Sequence, residues 1–277
     1  MRDLWEFISK YFKNRYSRQP LVDPLSPVIV TLTSHSDRIF RVFATLESIG
    51  SGSLRPRRLI LFLSDHLRGQ SLPASLQRTV KRGAEIIYCR DVGPHTKYFP
   101  YLELVDKFEH PLVTVDDDII YEPYMLEKLV DAWHSMSNFI HCHRARRINF
   151  LDSQLAPYKS WAMCRSTEPS FENFATGVSG VIYPPRFLFA LKVAGDSFLQ
   201  CCPKADDIWL NVNALRAGFP VRQIKAQAIH FSEIPLSRRT ALFKTNLRGE
   251  KNDEQIRATY TSEDLPLMKK AIFDGFS

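Results

Sequence analysis

Four short apolar runs between residues 28 and 115 constrain this chain more than any other feature of its sequence. They are residues 28–33 (VIVTLT), 58–63 (RLILFL), 84–89 (AEIIYC) and 111–115 (PLVTV). Each is rich in β-branched and aliphatic residues and too short to be a core helix. Near-continuous apolar runs of this length are the mark of strands covered on both faces. Segments with helical periodicity separate them, at 38–49, 73–82 and 98–108. Strand alternating with amphipathic helix predicts an α/β fold, a mostly parallel sheet with helices on both faces.

The second half is less regular. The pattern predicts helices over 123–136 and 206–217, the latter stopped by Gly218, and short helices after 250. Strands are expected at 139–143, 178–183, 220–224 and 226–231. With 277 residues, 44% of them hydrophobic and 24% charged, the chain can bury a full core. That composition excludes collagen-like, low-complexity and broadly disordered chains. Five cysteines (Cys89, Cys142, Cys164, Cys201, Cys202) without a CxxC pair argue against a zinc ribbon or a disulfide framework. A reduced, cytoplasmic compartment is the expectation. No apolar run reaches the roughly 18 residues of a membrane span, and no signal-peptide pattern opens the chain.

Residues 1–26 stand apart as a basic amphipathic helix and linker. Leu4, Trp5, Phe7, Ile8, Tyr11, Phe12 and Tyr16 recur at near-helical spacing, with Arg2, Lys10, Lys13, Arg15 and Arg18 largely between them. Two readings stand: residues 1–18 touch an anionic membrane at its inner face, or the stripe packs on the main domain or a partner. One domain is expected over 27–235, followed by a lid and helices over 236–277.

Asp116-Asp117-Asp118 directly follows the fourth run. Three adjacent carboxylates repel one another unless a cation joins them. Alternation puts Asp116 and Asp118 on one side, at the strand end where open parallel sheets bind ligands. Such a pair can hold Mn²⁺ or Mg²⁺, or it can be a solvated turn capping the next helix. Asp206-Asp207 opens the 206–217 helix and has the same two readings, a cap or a group that works on a substrate hydroxyl. Lys97 is a candidate to reach a phosphate or the sugar, and 238–252 (RRTALFKTNLRGEKN) has the composition of a lid or of a solvated basic tail. Thr176-Gly177-Val-Ser-Gly180 lacks the spacing of a dinucleotide or P-loop motif. Its glycines suit close approach of backbone to a sugar ring.

The ordered set of blocks resembles the nucleotide-sugar-dependent glycosyltransferases of the GT-A fold, including the exostosin-like and bacterial glycan transferases. These blocks are Thr31-Leu-Thr-Ser-His-Ser-Asp-Arg38, Lys97-Tyr-Phe-Pro100, Val113-Thr-Val-Asp-Asp-Asp-Ile119, Phe174-Ala-Thr-Gly-Val-Ser-Gly-Val-Ile-Tyr183 and Lys204-Ala-Asp-Asp-Ile-Trp-Leu-Asn211. They depart from the exostosin-like pattern at Asp206, where that pattern has Glu, and at Lys97, where it has Arg. The resemblance implies a nucleoside-diphosphate-sugar donor, UDP-sugar foremost, and a hydroxyl of a glycan or lipid-linked acceptor. It implies Thr33, His35, Arg38 and Asp117 at the nucleotide, Asp65 at uracil or ribose, and Asp116 and Asp118 at the metal. It further implies His230 as a third metal ligand, and Asp207, with Asp206 beside it, at the acceptor.

A nucleotidyltransferase or other metal-dependent phosphate-transfer enzyme on a similar sheet is the alternative. A net charge of +7 also raises a nucleic-acid-binding protein. The basic residues are spread through the chain, however, and the carboxylate motifs repel phosphate, so no nucleic-acid partner is expected.

Overall fold

The structure, a computed structural model, describes residues 2–235 and 251–269. In chain order the first half runs α1 (Arg2–Tyr16), β1 (Ile29–Thr33), α2 (Phe43–Gly50), β2 (Arg58–Ser64), α3 (Ala74–Val80), β3 (Ala84–Cys89), α4 (Phe99–Leu104), β4 (Leu112–Thr114) and β5 (Ile119–Ile120). Then come α5 (Met125–Ser135), β6 (Ile140–Cys142), β7 (Ala145–Arg147), β8 (Phe150–Leu151), β9 (Gln154–Leu155), β10 (Ala162–Met163) and β11 (Asn173–Ala175). They are followed by β12 (Val181–Tyr183), α6 (Pro185–Ala194), α7 (Phe198–Cys201), α8 (Asp206–Arg216), β13 (Val221–Gln223) and β14 (Ser232–Glu233). Two further helices are Lys251–Thr259 and Asp264–Met268.

Seven strands form the central sheet in the order β13-β6-β12-β4-β1-β2-β3. Neighbours are parallel except at β12, which runs against both β4 and β6. The apolar runs explain this placement. Ile29, Ile60 and Phe62 point into one core, filled by Tyr101, Leu188, Leu191, Ile208 and Leu215 of α4, α6 and α8. Val30, Leu32, Leu59, Leu61 and Leu63 point into the other, filled by Leu46, Ile49, Leu76, Leu126 and Leu129 of α2, α3 and α5. A strand buried on both faces has no polar side to show. The chain is therefore an α/β fold with a largely parallel central sheet flanked by helices, in a Rossmannoid arrangement.

Three expectations from the sequence need correction. The 38–49 helix is broken: a 3₁₀ turn (Ser36–Phe40) precedes α2, and Ser36 lies in the left-handed region at φ 50°. The turn carries the Arg38 side chain back to the carboxylates after β4. The 98–108 helix stops at Leu104, because Val105 is extended and gives its carbonyl to Lys192 Nζ at 2.6 Å. Residues 226–231 form no strand. Their backbone is held by single bonds, Ile229 N–H to His143 O and Ser179 Oγ to Ile229 O. The strand comes one step later, as β14, which pairs antiparallel with β5.

Helix α1 packs on α2 and α3. Asn14, 1% exposed, donates to Glu47 Oε1 at 3.0 Å and to Ser75 O at 3.1 Å, and its own Oδ1 takes Arg78 Nε at 2.9 Å. Glu47 is fully buried in α2 and also accepts Arg82 Nη1 at 2.6 Å. The segment after α1 is pinned as well, with Leu21 N–H bonded to Arg82 O and Asp23 N–H to Pro56 O. Breaking a buried ion pair on one side leaves the other charge stranded. Glu47→Ala is therefore expected to lower stability by about 3–5 kcal/mol in urea unfolding. An unchanged midpoint would mean that Arg82 finds water.

Candidate active site

β1, β2 and β4 end on one rim of the sheet, and a cleft of about 1090 Å³ opens there. Asp116, Asp117 and Asp118 follow β4 after one residue, Val115. Lys97, at the end of a 3₁₀ turn (Gly93–Lys97), reaches Asp116 Oδ1 at 2.7 Å and Asp206 Oδ2 at 3.1 Å. Asp206 and Asp207 open α8, yet neither caps it, since Ala205 holds the cap position with no side-chain bond. Asp207 Oδ1 instead accepts the Gly177 N–H at 3.1 Å. Gly177 sits at the meeting point. A Cβ built on it would lie 3.2 Å from Asp207 Oδ1, 3.3 Å from Lys97 Nζ and 3.9 Å from Asp116 Oδ1.

Arg38, Ser34, Thr33 and His35 line the same cleft beside the three carboxylates. Arg38 pairs with Asp117 Oδ1 at 3.0 Å and with Asp118. Ser34 Oγ donates to Asp117 Oδ2 at 2.5 Å. The Asp117 and Ile119 carbonyls both face the Thr45 hydroxyl, which fixes the turn after β4. Tyr121 OH accepts the Asp116 N–H and donates to Val178 O, tying the turn to the glycine segment. Thr33 and His35 line the cleft, although Thr33 spends its hydroxyl on Phe62 O. Asp65 does not join them: it is exposed and paired with Arg68 at 2.6 Å.

Burial and like charge set the proton affinities. Burial raises Asp207 to about 8, helped by Asp206, while Lys97 opposes. Asp118 is pushed up to about 7 by burial, against Arg38. Asp117 is also raised by burial. Burial pushes Asp116 up too, but Lys97, with Arg38 and Arg144 behind it, outweighs burial and holds its pKa down. For Lys97, burial disfavours the ammonium, but Asp116, Asp206 and Asp207 outweigh it and raise its pKa well above the usual value.

Carboxylate oxygens are hard donors and fit a hard divalent cation in charge and donor type. The present pairings direct Asp116 to Lys97 and Asp118 to Arg38. Among the described residues no group of three or more His, Cys, Asp or Glu converges to hold a metal. His230 lines the cleft as an exposed side chain and does not complete such a set.

Arg144 and Arg146 are two cations that no motif in the sequence singles out. Both line the cleft, with Tyr158 beneath Arg146 at 5.0 Å. Their i, i+2 spacing was the available signal. His141 and His143 bond the Met136 and Met125 carbonyls and are lowered to about 4 by burial, so that pair is structural. Trp161 and Trp209 lie in the core. The segment expected as a lid, 238–252, lies outside the described residues except at 251 and 252, and Asn252 lines the cleft.

No protein-family model and no curated protein sequence matches the chain. Solved structures do. One is 4-diphosphocytidyl-2C-methyl-D-erythritol synthase from Anaerococcus prevotii, with TM-score 0.51 and 11% identity, matched over 82% of this chain and 97% of that one. Others are the inositol-1-phosphate CTP transferase from T. maritima (TM-score 0.46, 10% identity, 90% and 98% covered) and glucosyl-3-phosphoglycerate synthase from Mycobacterium tuberculosis (0.45, 13%, 80% and 78%). At 11% identity the likeness to the first of these is one of fold, a Rossmannoid α/β sheet.

Proposed function

We propose that the chain is a transferase that takes a sugar from a nucleoside-diphosphate sugar, a UDP-sugar foremost, to a hydroxyl of a glycan or lipid-linked acceptor. The observation that carries this reading is the meeting of Asp207, Gly177, Lys97 and Asp116 at one point of the cleft. A carboxyl raised to about 8 suits a group that takes and returns a proton near neutral pH. Asp207 would receive the proton of the attacking hydroxyl. Gly177, bare of a side chain, would let the sugar ring approach the backbone. Lys97 links the donor-side Asp116 with the acceptor-side Asp206 and keeps positive charge between them. Arg38, Arg144 and Arg146 would face the phosphates. Asp116 and Asp118 would hold Mn²⁺ or Mg²⁺, whose charge would neutralise the departing diphosphate.

A second reading, nucleotidyl transfer, is favoured by the structural match above 0.5, a synthase of a diphosphocytidyl compound. Against it stands Asp207, since a hydroxyl nucleophile needs a base to take its proton and an ionised phosphate does not. Product analysis separates the two. With a panel of nucleotide sugars and Mn²⁺, release of nucleoside diphosphate is expected. Release of pyrophosphate from a nucleoside triphosphate would replace this reading with the second. Asp118→Asn is expected to cut turnover by at least about 100-fold while the far-ultraviolet spectrum stays unchanged.

A further inference from the structure

Helix α1 has two working faces, and docking on α2 and α3 uses only one. Phe7 meets the Phe43 ring at 5.7 Å, Asn14 is buried, and Lys10 is half-buried beside Ser51. On the opposite side Trp5 is 71% exposed, Phe12 53% and Tyr16 72%. At 3.6 residues per turn these three lie within about 40° of one another. The Phe12 and Tyr16 rings stack on each other at 6.2 Å, in solvent. Lys13 and Arg15 flank the stripe on either side, and Arg18 follows it, all exposed. Residues 1–18 carry Arg2, Lys10, Lys13, Arg15 and Arg18 against Asp3 and Glu6, a net charge of +3 (five minus two).

We propose that this outer face of α1 is a docking surface for an anionic lipid membrane. Three features choose a lipid surface as the occupant. The stripe is aromatic, with Trp and Tyr, the side chains that settle at the headgroup level because one end is apolar and the other polar. Its flanks are cationic, which complements acidic headgroups. The helix lies along the domain, bolted through Asn14 and Glu47, so its outer face is presented as a flat ridge. No helix among the described residues is long and apolar enough to cross a membrane. The ridge also bears on the cleft. Phe43, on which Phe7 packs, opens α2 at the end reached from the Arg38 turn, and α1 lies against β14, whose Glu233 lines the cleft. The proposal stands whichever group the cleft transfers.

The test uses the full chain and vesicles of about one third phosphatidylglycerol and two thirds phosphatidylcholine, with pure phosphatidylcholine as the reference. Trp5 is the most exposed tryptophan, so its emission should shift to the blue on binding, and the protein should sediment with the anionic vesicles. Lys13→Glu with Arg15→Glu should weaken sedimentation at least about tenfold, as should raised salt. Trp5→Ala, Phe12→Ala and Tyr16→Ala together should abolish it. None of these side chains is buried, so the unfolding midpoint should hold. Equal sedimentation with neutral vesicles, or none with anionic ones, would overturn the proposal. So would a concentration-dependent dimer that disappears in the triple variant, since the ridge would then be an interface between copies. Loss of transfer activity in solution bears only on the cleft reading; loss of sedimentation bears only on this one.

Discussion

Lys97→Met is expected to cost the protein both activity and stability, the stability loss being about 3–5 kcal/mol. Lys97 is 8% exposed and lies between Asp116 and Asp206, with Asp207 close behind. Methionine keeps the stem's volume and deletes the charge. Three carboxyls then share a buried space with no ammonium among them, and each is driven towards its neutral form. Chemical denaturation should show a lower midpoint with an unchanged slope. The loss should shrink when Asp206→Asn is added, because the second substitution removes a carboxylate that the first has stranded. Independent, additive effects of the two would mean that the bridge does not couple them. Turnover should fall by at least about 100-fold in Lys97→Met, and adding Asp206→Asn should not restore it.

Asp207→Asn is expected to lower turnover by about 10²–10⁴-fold while leaving the Gly177 N–H an oxygen to bond. Its pH dependence is the sharper test. A base must be deprotonated to act, so turnover of the unaltered protein should rise as pH passes about 8, and the residual turnover of the variant should not. Stability should show the same group with opposite sign. A carboxyl raised from an unfolded value of about 4 keeps its proton in the native state over a range where the unfolded chain has lost it. The native state then binds more protons, so this group's contribution to stability falls as pH rises from about 4 through about 8. In Asp207→Asn that fall is absent. The midpoint difference between variant and parent should therefore move in the variant's favour from pH 4 to pH 9. A difference independent of pH would show that Asp207 titrates as an ordinary carboxyl.

What was legible in the sequence follows how local the signal was. The strands β1 to β4 were written in runs that are apolar on both faces. Asp116 and Asp118 stand just past such a run and Asp207 opens an amphipathic helix, places that a local pattern marks. Asp65 was misread, since position after β2 says nothing of the i, i+3 partner Arg68 that draws it outward. Arg144 and Arg146 were passed over because only the pairing of β7 with β10 and β11 turns their side toward the cleft. The buried Glu47 was invisible for a similar reason: a carboxylate inside a helix reads as solvent-facing until Arg82, 35 residues on, is seen beside it. The N-terminal stripe could not be assigned to a membrane or to the domain from spacing alone. Its aromatics divide between two faces that a sequence pattern sums into one.

The reversed strand β12 has a consequence for how the molecule comes into being. Because β12 runs against β4, its leading end brings Gly177 to the rim where β4 delivers Asp116. The group that meets there is drawn from residues 97, 116, 177 and 207, so it has no local nucleus and cannot form before the chain has crossed the sheet and returned. No short segment of the chain can therefore desolvate these charges by itself, and the cost falls on the assembled sheet.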